Sequence, residues 1–225
     1  MADAFRSLVF IFSLLLISSG RAQTPVADQS VRFTVFCTRP ASGLAFVAKA
    51  GAVPVPLVFY PTARSPRCDY RGPMPLALVD ARTLEVVAEV TIPSGLSEAL
   101  LILVPVEPAE NEGRKYRVFV LDDSDRARGA GSLAIINFSG LELAGTWEGK
   151  PIALAAGLNP VRAMGGRGRL SLRTPFKSRS YQAYAGEVAV GKGERALLLL
   201  FPPLEAGSLE VQSRLLTDTP PVPAP

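Results

Sequence analysis

The sequence predicts an all-β protein: two tandem, duplicated immunoglobulin-like β-sandwich domains behind a signal peptide. Three observations predict it. Apolar and polar residues alternate with period two over several stretches, the mark of half-buried strands. Nineteen glycines and 20 prolines are scattered between short apolar runs, and this turn-rich punctuation suits sandwiches better than helices. Finally, ALLLLFPPLEAG (196–207) repeats the pattern of ALLILVPVEPAE (99–110), 97 positions earlier. No segment holds a 3.6-residue apolar stripe long enough for an amphipathic helix.

Taken in order, residues 1–22 read as a secretory leader. Arg6 precedes the apolar run LVFIFSLLLI (8–17), and Gly20 and Ala22 occupy the small-residue positions before Gln23. Ten apolar residues are about half of what spans hydrocarbon, so a cleaved leader is favoured over an anchor, and the mature chain carries no predicted transmembrane segment. The remainder is expected to be exported, periplasmic or extracellular.

VRFTVFCT (31–38) and LEVVAEVTI (84–92) alternate cleanly; the second sets Leu84, Val86, Ala88, Val90 and Ile92 against Glu85 and Glu89. SLEVQSRL (208–215) sets Leu209, Val211 and Leu215 against Glu210, Gln212 and Arg214. ALLILV and ALLLLF are continuous apolar runs, as central strands buried on both faces would be, and proline ends each.

Sliding the chain by 97 also brings Gly43-Leu44 onto Gly140-Leu141 and Pro54 onto Pro151. Each copy opens with an alternating strand, RFTVF or LAIINF, and closes with a strand ending in aspartate, Asp123 or Asp218. A period of this length is that of a sandwich domain, not of a solenoid repeat. The predicted domains are 31–124 and 132–219, joined by the short connector SDRARGAG (124–131), with a proline-rich tail at 220–225.

Export places Cys37 and Cys68 in an oxidising compartment, where a pair is expected to bridge. Both lie in the first copy, which also fits a mutual disulfide.

The chemistry-bearing candidates are few. There is no histidine, so Ser-His-Asp and Cys-His nucleophile systems and the usual zinc sites are excluded. A formal net charge of +4 does not announce a nucleic-acid partner. DDSD (122–125) offers Asp122, Asp123 and Asp125 as a weak calcium alternative, without the ordered spacing of an EF-hand loop. The most unusual stretch is GGRGRLSLRTPFKSRSY (165–181). From Lys150 to Gly186 it and its surroundings hold seven cations and no acid. Arg162, Arg167, Arg169, Arg173, Lys177 and Arg179 are the candidate anion-binding residues, their mutual repulsion relieved by an anionic partner. The bland alternative is a solvated strand face. Asn137-Phe138-Ser139 is a formal glycosylation sequon inside a predicted strand, and Trp147 a lone aromatic beside a predicted hairpin turn; neither reads as functional.

DYRGPMPLALVD (69–80), ALLILVPV, YRVFVLDDS and GSLAIINFSGLELAG together resemble a group of uncharacterised exported bacterial proteins. Their hallmarks are a strand ending in LDDS followed by a strand of the INFS type. The resemblance implies no activity and no cofactor. The sequence therefore points to an exported, non-enzymatic binding or structural module of the cell envelope, with an envelope protein or an anionic polymer as partner. The alternative is an envelope protein that binds or cleaves polysaccharide, since two carboxylates can hydrolyse glycosides without histidine.

Overall fold

The computed structural model describes residues 28–39, 41–48, 51–106 and 113–220. The leader, and residues 221–225 of the tail, lie outside the described residues. Every regular element among the described residues is a β-strand.

The N-terminal half forms β1 (Gln29–Cys37), β2 (Leu44–Val47), β3 (Val55–Pro56), β4 (Cys68–Gly72), β5 (Leu76–Asp80), β6 (Val86–Val90), β7 (Glu98–Pro105) and β8 (Tyr116–Asp122). They make two four-stranded sheets, β4-β1-β7-β8 and β3-β2-β5-β6. The C-terminal half forms β9 (Ser132–Asn137), β10 (Leu143–Trp147), β11 (Lys150–Leu154), β12 (Gly157–Leu158), β13 (Arg162–Ala163), β14 (Arg167–Phe176), β15 (Arg179–Ala189), β16 (Arg195–Phe201) and β17 (Gln212–Asp218). Its sheets run β12-β9-β16-β17, with β13 also on β9, and β11-β10-β14-β15. The same order recurs, including the parallel pairing of the first strand with the penultimate one, β1 with β7 and β9 with β16. ALLILV and ALLLLF hold the same place, each bonded on both edges. Gly43 and Gly140, matched in the sequence, both adopt positive φ, at 68° and 72°.

Each half closes its own core. Phe33, Val35, Phe46, Leu78, Leu101 and Leu103 fill the first, and Leu133, Ile135, Leu170, Leu172, Leu198 and Leu200 the second. A third core joins them. The opposite faces of β7 and β16 give Leu100 and Ile102, and Leu197 and Leu199, to a layer completed by Phe36, Leu121, Ala134, Ile136 and Leu216. The molecule is thus four sheets deep, with β4-β1-β7-β8 and β12-β9-β16-β17 packed back to back. This explains why ALLILV and ALLLLF carry no polar residue: odd and even side chains both meet apolar partners.

Two strand readings shift. Leu84, expected on the buried face of a strand, sits in the turn before β6 with φ of 62° and is exposed. A bulge opposite Leu78 and Val79 then leaves both Val87 and Ala88 buried. The 208–215 alternation begins too early: β17 starts at Gln212, Leu215 faces out, and Leu216 enters the third core.

Candidate functional site

The seam between the halves carries the densest charge in the molecule. Asp123 follows β8, and its buried carboxylate receives Arg64 Nη1 at 2.7 Å, Arg128 Nη1 at 2.9 Å and Arg195 Nη2 at 2.8 Å. Arg195, fully buried at the start of β16, also grips Asp218 at the end of β17, at 2.9 Å. Its Nη1 donates to the carbonyls of Asp123 and Arg128. Arg64 Nη2 lies 3.1 Å from Asp218 Oδ1, near enough for an ion pair but without the alignment of a hydrogen bond. Arg128 Nη2 donates to the Ala196 carbonyl. Three guanidiniums therefore share two carboxylates. Burial, then the neighbouring Arg64 charge, pushes the Arg128 pKa down to about 10 against the pull of Asp123. For Arg195 burial acts in the same downward direction, but the Asp218 hydrogen bonds and the Asp123 charge outweigh it and raise the pKa.

This cluster absorbs the aspartates expected to close the two predicted domains. Asp123 and Asp218, each at the end of its half, meet on the one Arg195 side chain. The candidate calcium ligands do not converge. Asp123 is committed to arginine, Asp122 accepts the Ser124 amide at 3.0 Å, and Asp125 is exposed. Among the described residues no three acidic or thiol side chains are grouped to hold a metal ion.

The basic stretch forms the β14–β15 hairpin at the edge of the outer sheet. Its alternation is simple: Leu170, Leu172 and Thr174 point in, while Arg167, Arg169 and Arg173 point out. The expectation of uncompensated repulsion needs correcting for two of them. Arg169 lies opposite Glu187 in the ladder, and Glu187 pairs with Arg167 at 3.2 Å. Glu148, at the β10–β11 turn, accepts the Arg169 amide. Both acids flank the acid-free window in sequence, and the strand pairing folds them back onto it. Arg162 is not part of the group, because β13 pairs with β9 in the other sheet. The remaining cations, Arg173, Lys177 and Arg179, lie toward the hairpin tip.

The cysteines are not bonded to each other, which corrects the predicted disulfide. The β1–β4 register sets Cys68 opposite Phe33, four residues short of Cys37. At a rise near 3.3 Å per residue the offset is about 13 Å along the strand, well beyond the roughly 7 Å Cα limit of a bridge. Both thiols instead pack on the first core, and burial raises both pKa values, with Asp69 adding to the effect at Cys68. The Cys37 thiol borders a cleft of about 190 Å³ at the end of the seam, with Arg39, Phe59, Tyr60 and Arg214. No carboxylate lines it.

Other motifs resolve into structure. The amide of Asn137 is buried, donating to the Leu141 carbonyl and accepting from the Ser139 amide and hydroxyl. The INFS sequence is thus a turn lock, and its asparagine is closed to a glycan. The Trp147 ring lies against Gly168, where an added Cβ would sit 2.1 Å from the ring. Gly166 holds φ of 94°. The glycines of GGRGR therefore serve the backbone turn and the tryptophan, and the Trp147 ring is engaged in packing.

Sequence reasoning missed Arg64, Arg128 and Arg195 at the seam. The available signal was Arg195 itself, a lone charge heading a six-residue apolar strand. No protein-family model matches the chain, and no curated protein matches it significantly in sequence.

Proposed function

We propose that the chain is an exported, non-enzymatic binding or structural module of the cell envelope, built by tandem duplication of an immunoglobulin-like sandwich. The observation that carries this reading is the seam. A dedicated third core and a five-member charge cluster, buried but for the partly exposed Asp218, fuse the halves into one block. Such rigidity suits a spacer or an adaptor, whose work is to hold surfaces at fixed separation. The repeated strand order and the convergence of Asp123 with Asp218 support the duplication. In the resemblance to exported proteins with LDDS and INFS strands, both hallmarks act as structural locks: the first supplies Asp123 to the seam, the second closes the β9–β10 turn.

The alternative, a polysaccharide-binding or polysaccharide-cleaving protein, draws on the depression where Glu148 and Glu187 meet Arg167 and Arg169. Both of its carboxylates already hold hydrogen-bond or ionic partners. The test is retention of partners from the protein's own envelope fraction by the immobilised mature chain, read for protein and for glycan. Saturable capture of a defined protein with no sugar released is the expected result. Release of soluble oligosaccharide, abolished by Glu148→Gln or Glu187→Gln, overturns it.

A further inference from the structure

The tip of the β14–β15 hairpin sets exposed aromatics beside cations on a projecting ribbon. β10 supports β14 only as far as Arg173, so the two strands continue past the sheet as a ribbon. A two-residue turn closes it, with Phe176 paired to Arg179 and both central residues at positive φ, Lys177 at 45° and Ser178 at 63°. This is the geometry of a type I′ turn, which usually employs Asn-Gly. Here a lysine and a serine take it instead, a backbone cost that places a cation at the apex.

Phe176 and Tyr181 flank that apex, 47% and 39% exposed, edge to face at 6.4 Å. Lys177 Nζ lies 5.3 Å from the Phe176 centroid. None of the ion pairs among the described residues includes Arg173, Lys177 or Arg179. Glu142 lies just before β10, whose Ala144 pairs with Arg173. The β16–β17 loop ends near the same ribbon, where the Val211 amide donates to the Ala183 carbonyl, and it exposes Leu204 together with Glu205 and Glu210. These acids belong to the loop beside Ala183, and the cations Arg173, Lys177 and Arg179 to the hairpin and its turn.

We propose that this tip docks the protein on an anionic lipid surface, with Phe176 and Tyr181 entering the headgroup–acyl boundary and Arg173, Lys177 and Arg179 meeting the lipid phosphates. Exposed aromatics ringed by long cations are the composition of an interfacial anchor, because the rings gain an apolar phase while the cations stay wet. The geometry favours lipid over sugar. A sugar ring stacks on a flat, open aromatic face, whereas Lys177 and the Tyr181 edge already crowd Phe176. The envelope reading says only where such a surface is met; the docking is a property of the tip and is tested apart from it.

The test is co-sedimentation of the mature chain with phosphatidylcholine vesicles, with and without phosphatidylglycerol, at low and physiological salt. Binding to the anionic vesicles, weakened by salt, is expected. Lys177→Gln/Arg179→Gln should reduce partitioning about 30-fold, the loss of two surface cations. Phe176→Ala/Tyr181→Ala should reduce it about tenfold or more. Arg167→Ala, away from the tip, should leave it unchanged. Unchanged melting temperatures establish that the variants remain folded. A Phe176→Trp variant should show an emission blue shift on the anionic vesicles alone. Absence of vesicle binding, or binding that keeps its strength without the aromatics and is fully competed by soluble dextran sulfate, overturns the proposal; the latter identifies a general polyanion site. Neither result bears on glycan release in the envelope-fraction test, so the two readings fail separately.

Discussion

The seam and the β14–β15 hairpin each concentrate arginine, and they treat it oppositely. At the seam three guanidiniums are withdrawn from water and divided between Asp123 and Asp218, with backbone carbonyls accepting further N–H hydrogen bonds. On the hairpin Arg167 is 72% exposed and its partner Glu187 46% exposed. The contacts are of similar length, 2.8 Å for Arg195 with Asp123 and 3.2 Å for Arg167 with Glu187. The difference teaches that distance does not rank an ion pair. Desolvation does, because removing one member of a buried pair strands the other without water, whereas an exposed survivor is simply rehydrated.

The largest effect should therefore follow Asp123→Asn. It leaves three buried guanidiniums facing a single carboxylate and should destabilise the fold by about 3–5 kcal/mol, a fall in Tm of roughly 6–20 °C for a chain of this size. Differential scanning calorimetry checks it. A loss under about 1 kcal/mol would mean that water reaches the cluster and that the contrast with the hairpin is false. Removing a cation at the same place should cost less. Arg128→Leu leaves two guanidiniums on two carboxylates and ends the burial penalty that already depresses the Arg128 pKa. Because the cluster holds one more cation than carboxylates, removing Arg128 leaves no buried carboxylate unpaired, so the expected Tm change is under half that of Asp123→Asn. An equal or larger loss would show that Arg128 is needed for its hydrogen bond to Ala196 and its charge together.

Between these and the surface lies Gly168→Ala. The added methyl enters the space of the Trp147 ring, and moving a packed ring at the rim of the second core should cost about 1–3 kcal/mol. Trp147 is the single tryptophan, so a red shift of intrinsic emission should accompany the loss. A stable variant with unchanged emission would show that the ring yields without cost.

Much of the scaffold was legible in the chain, because strand period, proline stops and the 97-residue echo are local signals. The two-sided burial of ALLILV and ALLLLF could be read from their unbroken apolar pattern, but not what covers the second face; that needs the two halves brought together. The charge cluster was invisible for the same reason. Arg64, Asp123 with Arg128, Arg195 and Asp218 come from four separate segments, and no linear spacing announces them. The hairpin failed in a subtler way: an acid-free window is a property of sequence, while compensation is a property of neighbours across strands. Glu148 and Glu187 stood just outside that window and folded onto it. The cysteines failed through register, since a compartment argument says that two thiols can be oxidised and nothing about which residue faces which.

The smallest effect should be Arg167→Ala. Arg167 lies on an edge hairpin, its guanidinium mostly in water, and its one ionic partner, Glu187, is itself about half exposed. Exposed pairs of this kind contribute about 0.2–1 kcal/mol and are screened by salt. The expected change in Tm is therefore below about 4 °C at low salt, and smaller still at high ionic strength. Repeating Asp123→Asn across the same salt series gives the sharper comparison, because screening does not reach a cluster whose charges are buried. The penalty at the seam should be flat with salt while the penalty at the hairpin fades. If both fall together, the seam is solvated and its arginines are surface charges; if neither falls, Arg167 acts through packing of its aliphatic stem on β15 and not through its charge.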